Sequence, residues 1–258
     1  MQIVFVGAGR LATQFAQALS NAGHQILAVY SHTMEAAEAL CSKLGSQPVD
    51  DVSHLPLEAD AFIVAVKDSA IPGLLPQLAK GREGQTFFHT AGSVPMSVFA
   101  DCGLVHYGVI YPMQTFSKER KVDFSRIPVF IEGSDAATTD RALHIATTVS
   151  ESVRELPSES RRYLHLAAVF ANNFTNGCYT ISAALLETIG LPFEVMLPLV
   201  EETAAKVSTM HPLDAQTGPA VRYDEQVIKA QSQLLASTPQ IREIYDMMSK
   251  LIHQIHSS

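Results

Sequence analysis

The chain is poor in cysteine and in positive charge. Its three cysteines, Cys41, Cys102 and Cys178, are odd in number, far apart and without a C-x-x-C pair. That pattern argues against a disulfide framework or a zinc site and fits a reducing compartment with free thiols. Lysine and arginine number 18 against 26 acidic residues, a net charge of −8, with no basic block. A nucleic-acid partner or an acidic membrane surface is therefore disfavoured. No apolar stretch is long and unbroken enough to span a bilayer, and no secretory leader pattern precedes the first apolar run. The expected location is the cytoplasm. Apolar residues make up 47% of the 258 positions, enough to build one large domain or two modest ones.

The stretch that organises the rest is the first dozen residues. Gln2-Ile3-Val4-Phe5-Val6 reads as a strand, Gly7-Ala8-Gly9-Arg10-Leu11-Ala12 as a G-x-G-x-x-A turn, and Leu11–Ala22 as a helix. A dinucleotide fold needs each small residue for a separate reason. Gly7 allows the tight strand-to-helix turn, Gly9 lets the backbone approach a pyrophosphate, and Ala12 lets the helix pack closely on the strand. The first turn of the helix then offers free N–H groups and the positive end of its dipole to phosphate oxygens. Gly7, Gly9, Arg10, Leu11 and Ala12 are accordingly candidate cofactor residues.

A second strand, Gln25–Tyr30, ends at the position that discriminates between cofactors. Dinucleotide sites for NAD place Asp or Glu there, about 20 residues past the glycines, to hold the ribose 2′-hydroxyl. This chain has Ser31-His32-Thr33, and its first acid, Glu35, falls in the next helix, Met34–Leu44. Two hydroxyls and an imidazole can hydrogen-bond a 2′-phosphate that a carboxylate would repel, so NADP(H) is expected over NAD(H). No arginine stands at these three positions; Arg10 is the candidate cation. Ser31 or Thr33 can equally serve as a helix cap.

Further strands are expected near Gln47–Val49, at Ala61–Val66, Thr86–His89, Val105–Ile110, Pro128–Glu132 and Val153–Leu156. Helices are expected at Ile71–Leu78 and about Ala136–Val149. The continuously apolar Ala61–Val66 suits a strand buried on both faces, and Val66, at its carboxyl end, is assigned to the cofactor crevice. Alternating strands and helices indicate an α/β, doubly wound, mostly parallel sheet of the Rossmann type, with one late strand able to run antiparallel. His89 and Tyr111 stand at strand ends. His89 either lines a substrate site or bonds a neighbouring carbonyl; Tyr111 either lines the site or packs.

From Pro157 no strand signal remains, so the expected division is a dinucleotide-binding domain, 1–156, and an all-α domain, 157–258. In a long helix, roughly Ser160–Ile189, the residues Tyr163, Leu166, Ala167, Phe170, Phe174, Ile181 and Leu185 are spaced as a core face. His165, Asn172 and Asn176, seven and then four residues apart, form a separate polar stripe. Such groups either face a polar cleft or are satisfied by neighbours. A helix follows at about Phe193–Ser208, then a loop from Met210 to Pro219 without secondary-structure signal. Arg222 comes next, suited to grip a substrate carboxylate or phosphate, or to pair with Asp224. The last helix, capped by Thr238-Pro239, carries a broad apolar stripe from Ile241 to Ile255 that must pack within the chain or on a second subunit.

Together these pieces resemble the two-domain Rossmann-like oxidoreductases of the pyrroline-5-carboxylate reductase and 6-phosphogluconate dehydrogenase group. Within it the likeness is to an uncharacterised branch named only as NADP oxidoreductases, with a helical C-terminal domain of unknown function. The resemblance spans nearly the whole chain. It rests on Gly7 to Ala12, His89-Thr90-Ala91-Gly92, Tyr111 to Phe116, His165 through Asn172-Asn173-Phe174, and Thr217 to Asp224. The branch often has histidine where this chain has Tyr111, and glycine where it has Tyr223. The resemblance implies cofactor binding, an interdomain cleft and homodimerisation through the helical domain, and names no substrate.

Two functions follow. One is an enzyme that moves a hydride between NADP(H) and a small carbonyl or imine substrate. In it His165 is the proton donor, Asn172 works beside it, Asn173 and His89 contact the substrate, and Arg222 holds an anionic group. The other is a protein that senses or carries NADP(H) without turnover, since fold does not fix function. The helical stripe has no lysine, so the lysine-based acid/base pair of the 6-phosphogluconate dehydrogenases is absent.

Overall fold

The computed structural model describes residues 1–117 and 120–257. The chain forms two compact units, Met1–Asn173 and Phe174–Ser258.

The first unit is an eight-stranded sheet in the order β3-β2-β1-β4-β5-β6-β7-β8. The strands are β1 (Gln2–Val6), β2 (Gln25–Tyr30), β3 (Gln47–Val49), β4 (Ala61–Val64), β5 (Thr86–His89), β6 (His106–Pro112), β7 (Val129–Gly133) and β8 (Val153–Glu155). All neighbours pair in parallel except β6 with β7. The inner strands are buried on both faces, so their side chains alternate between two cores. Ile3, Phe5, Ile63 and Phe88 face one side, where α1 (Arg10–Asn21), α2 (Met34–Leu44) and α4 (Ala136–Thr147) deliver Phe15, Leu19, Leu40, Ala142 and Ile145. Val4, Val6, Phe62, Val64 and Phe87 face the other, where α3 (Ile71–Ala79) delivers Ile71, Leu75 and Leu78. This two-sided burial is why the strands read as continuous apolar runs rather than as alternating ones.

Two connections differ from the sequence reading. Between β5 and β6 the chain forms a 3-10 helix, Met96–Cys102, whose Phe99 plugs the second core. The expected long helix is three pieces: α5 (Ser158–Ala168), a π-helical turn (Val169–Phe174) and α6 (Thr175–Glu187). A π turn adds a residue to the helical period and rotates everything after it. Positions counted from His165 to Asn176 as one stripe therefore do not stay on one face.

α5 belongs to the first unit because its first turn is bolted to the sheet. Ser158 donates its N–H and its hydroxyl to the two carboxylate oxygens of Glu132, at 2.9 and 2.6 Å. Arg161, fully buried, donates to the same carboxylate at 2.6 Å and to the Val94 carbonyl at 2.6 Å.

The second unit comprises α6, α7 (Leu197–Thr209), the single turns α8 (Pro212–Ala215) and α9 (Pro219–Arg222), α10 (Glu225–Leu234) and α11 (Pro239–His256). The stretch expected as a loop thus contains short helical turns, held by the end of α11. The rings of Tyr223 and His253 stack at 4.5 Å, and a ring nitrogen of His256 meets the Leu213 carbonyl at 3.1 Å. Tyr223 adopts φ 51°, the only described non-glycine residue in the left-handed region, and so ends α9 where the branch often has glycine. Among this unit's described residues only Leu186, Ser232, Leu235 and Ser249 are buried. The expected core face also fails within a single chain: Tyr163 is 77% exposed, and Leu166, Phe170, Phe174 and Leu185 are exposed too. Their helical spacing marks an apolar face that is not buried as a core.

Candidate functional site

The chain leaves β3 at one edge and crosses over β1 to β4, so the strand order reverses between β1 and β4. Ligands of open α/β sheets bind at that point, beyond the carboxyl ends of the strands. A cavity of about 490 Å³ lies there, lined by Gly7, Ala8, Gly9, Tyr30, Ser31, His32, Ala65, Val66, Lys67, Ala70, Gly73 and Leu74. The two glycines are there for different reasons. Gly7 has φ +125°, and a Cβ on it would strike the Ala65 carbonyl, so its constraint belongs to the fold. Gly9 has φ −73°, which any residue adopts, and a Cβ on it would meet nothing within 4 Å. Its lack of a side chain keeps space open above the start of α1, where the first N–H groups have no partner within the helix. Ala12 is fully buried against the sheet, as close helix packing requires.

Of the expected cofactor residues, Gly7, Gly9, Ser31, His32 and Val66 share this cavity, while Arg10, Leu11, Ala12 and Thr33 are not in its lining. Neither capping role holds as expected. Thr33 is the N-cap residue of α2 without a side-chain capping bond, and the Ser31 hydroxyl accepts the Thr33 N–H at 3.4 Å. Lys67, not singled out from the sequence, brings a cation to the same cavity as Ser31 and His32.

A second cavity, about 360 Å³, lies beyond the carboxyl end of β6. Its lining includes Tyr111, Gln114, Thr115, His165, Asn172 and Asn173. β6 and the turn after it supply the first three, and α5 and the π turn supply the others. π turns recur at functional sites, and this one brings Asn172 and Asn173 to the cavity together. The Tyr111 hydroxyl lies 3.1 Å from His165 Nδ1. Gly92 packs beneath both: a Cβ there would sit 2.5 Å from His165 Nδ1 and 2.9 Å from Tyr111 Cζ. Burial, and then the negative charge of Asp68, push the Tyr111 phenol up, opposed by Arg161, so the hydroxyl keeps its hydrogen near neutrality. Asp68 is itself held at 2.6 Å by the hydroxyl of Ser93, the residue after Gly92.

His89 was expected either to line a substrate site or to bond a neighbouring carbonyl. It is fully buried, stacks on Phe99 at 5.6 Å and lies outside the lining of both cavities. Its Nδ1 accepts the Ala91 N–H at 3.2 Å, which shapes the turn that carries Gly92. Burial, and then the positive charge of Arg161, push its pKa down to about 3. Arg222 is exposed in the second unit, and no ion pair joins it to Asp224 among the described residues. Arg161 had no signal in the sequence beyond its position in the first turn of a helix. No group of three or more metal-ligating side chains occurs among the described residues, and none of their helices is long and apolar enough to cross a membrane.

The sheet order, the glycine turn and its cavity define a dinucleotide-binding protein of the Rossmann type with a helical C-terminal region. Family models agree: a Rossmann-like domain matches residues 1–111, and DUF2520, a domain of unknown function, matches residues 127–252. The chain belongs to the same family as the putative NADP oxidoreductase BF3122 from Bacteroides fragilis, with 47% identity, 98% of each chain covered and a TM-score of 0.93. The fold is also that of an imine reductase from Myxococcus stipitatus, solved with NADP+, at 16% identity, TM-score 0.67 and coverage of 98% of this chain and 93% of that one. A reductive aminase from Aspergillus terreus, solved with NADPH and ethyl-5-oxohexanoate, shares it at 16% identity, TM-score 0.71 and coverage of 98% and 92%. No curated protein matches the chain.

Proposed function

We propose that this protein is an NADP(H)-dependent oxidoreductase acting on a small carbonyl or imine compound. The observation that carries the reading is the pairing of Gly9, with open space above it, and Ser31-His32, with no carboxylate, in one cavity at the sheet's switch point. The cofactor named for the Bacteroides fragilis relative supports the same choice. Bound NADPH supplies a hydride. The chain's part is to hold the cofactor, orient the substrate and deliver a proton. The Gly7–Gly9 turn and the first N–H groups of α1 take the pyrophosphate; Ser31, His32 and Thr33 take the 2′-phosphate, with Arg10 as the candidate cation. His165 gives a proton to the substrate nitrogen or oxygen as its carbon takes the hydride, so the product gains one C–H and one N–H or O–H bond. Asn172 and Asn173 orient the substrate, and Arg222 holds an anionic group where the substrate has one. Homodimerisation through the helical region completes the reading.

The test is a titration of purified protein with NADPH and NADH, followed by nicotinamide fluorescence, on the wild type and on Gly9→Ala. The expected result is tighter NADPH binding in the wild type, at least tenfold weaker binding in the variant and an unchanged melting temperature. The last follows because the added methyl meets only open space. Binding of neither nucleotide by the wild type overturns the reading; preference for NADH overturns the assignment at Ser31–Thr33. With a substrate found, His165→Ala should lose turnover by about 10²–10⁴-fold, the range for a lost acid–base group.

A further inference from the structure

We infer that Tyr111 is a positioning residue: its hydroxyl donates to Nδ1 of His165 and so fixes the imidazole with its hydrogen on Nε2. A neutral imidazole carries one N–H and one bare nitrogen, and the bond made at one nitrogen decides what the other presents. Tyr111 Oη and His165 Nδ1 stand 3.1 Å apart, and neither atom has another hydrogen-bond partner among the described residues. The rings meet edge to face, 69° between planes, which leaves the hydroxyl at the ring's edge rather than over its face. Gly92 closes the same edge: its α-carbon lies so near Nδ1 and the Tyr111 ring that a methyl group would not fit. Nδ1 is therefore walled in by Tyr111 and Gly92, and the opposite edge, Nε2, is the one left to the cavity that His165 lines with Asn172 and Asn173.

The direction of the bond follows from the hydroxyl's retained hydrogen. Burial and Asp68 keep the phenol protonated, so when the ring is neutral Tyr111 is the donor and Nδ1 the acceptor. The cavity edge of the neutral ring thus offers a hydrogen, and a substrate carbonyl or imine, which presents a lone pair, meets a donor there. Phenylalanine at 111 would keep the ring packing and lose this control, leaving the neutral imidazole free to turn a bare nitrogen to the cavity. The functional use of this device rests on the proposed reduction; the device itself does not.

The experiment needs neither substrate nor cofactor, so its failure and the failure of the proposed function are separable. Uniformly ¹⁵N-labelled protein is studied by long-range ¹H–¹⁵N correlation at about pH 9, above the ordinary imidazole range. The His165→Gln variant identifies the ring's signals by their loss. The expected wild-type pattern is a protonated, pyrrole-type Nε2 and a bare, pyridine-type Nδ1. In Tyr111→Phe the two nitrogen shifts should move towards each other, as the two forms exchange, with the other histidines unmoved. A wild-type ring with its hydrogen on Nδ1, or a Tyr111→Phe ring identical to wild type, overturns the inference. Should Tyr111→Phe fail to fold, a wild-type ring with its hydrogen on Nδ1 still overturns the inference.

Discussion

At the scale of the residue, His89 shows how far a side chain's role depends on depth rather than on position in the chain. At the carboxyl end of β5 it stands where substrate contacts are found in such folds, yet it is fully buried and ties its own turn together. Its cost appears in acid. A histidine whose pKa falls to about 3 on folding binds fewer protons in the native than in the unfolded state between about pH 3 and about pH 6.5. Stability from keeping it neutral is therefore complete above about pH 6.5 and is lost as the pH falls towards 3. Urea midpoints measured from about pH 7 to about pH 4 should decline in the wild type. In His89→Gln, which keeps an acceptor for the Ala91 N–H, the decline should be shallower by up to one proton. Parallel curves would mean that His89 is not held neutral. In the glycine turn the strand-to-helix constraint was legible: Gly7, at φ +125°, stands where a Cβ would strike the Ala65 carbonyl, whereas at Gly9 the fold itself leaves room for a side chain.

At the scale of the element, the strands were legible and the helix carrying His165 was only partly so. Burial on both faces leaves a strand no freedom but to be apolar throughout, and β1 and β4 announce themselves that way. The polar stripe His165–Asn172–Asn176 assumed an unbroken α-helix. The π turn at Val169–Phe174 has no compositional mark, and by shifting the phase it brings Asn172 and Asn173 to one cavity and leaves Asn176 out of its lining. What aims α5 was equally silent in the sequence, because Glu132, Ser158 and Arg161 meet only after β7 and α5 are in place. A buried ion pair of this kind adds little over an apolar replacement, but breaking it leaves a charge stranded. Arg161→Met should therefore cost about 3–5 kcal/mol in urea unfolding. The double variant Glu132→Leu, Arg161→Met should cost less than the sum of the two single changes. Additive costs would mean that the 2.6 Å contact carries no coupling and that α5 is held by packing alone.

At the scale of the molecule, exposed apolar side chains on the helices bear on the proposed homodimer. The spacing of Tyr163, Leu166 and Phe170 was read as a core face, and the side chains are not buried as one. In the first unit Tyr163 is 77% exposed and Leu166 is exposed with it. In the second, Leu234 is 83% exposed and Ile244, Met247, Met248, Leu251 and Ile255 on α10 and α11 are exposed with it. The largest apolar patch on a typical monomer is roughly 300–600 Å². A helical unit with four buried residues among those described has little core of its own. A stable interface removes roughly 800 Å² from each partner, and these faces are the apolar surface on offer. The proposed occupant is a second copy of the same chain. Light scattering coupled to size exclusion should therefore give about twice the 28.0 kDa chain mass at micromolar concentration, little changed by salt because the contact is apolar. Phe170→Asp places a charge in that contact and should shift the population towards monomer or aggregate. Leu57→Asp, at an exposed leucine outside these helices, should leave the dimer intact. A wild-type protein that runs as a stable 28.0 kDa monomer would defeat the proposed dimer.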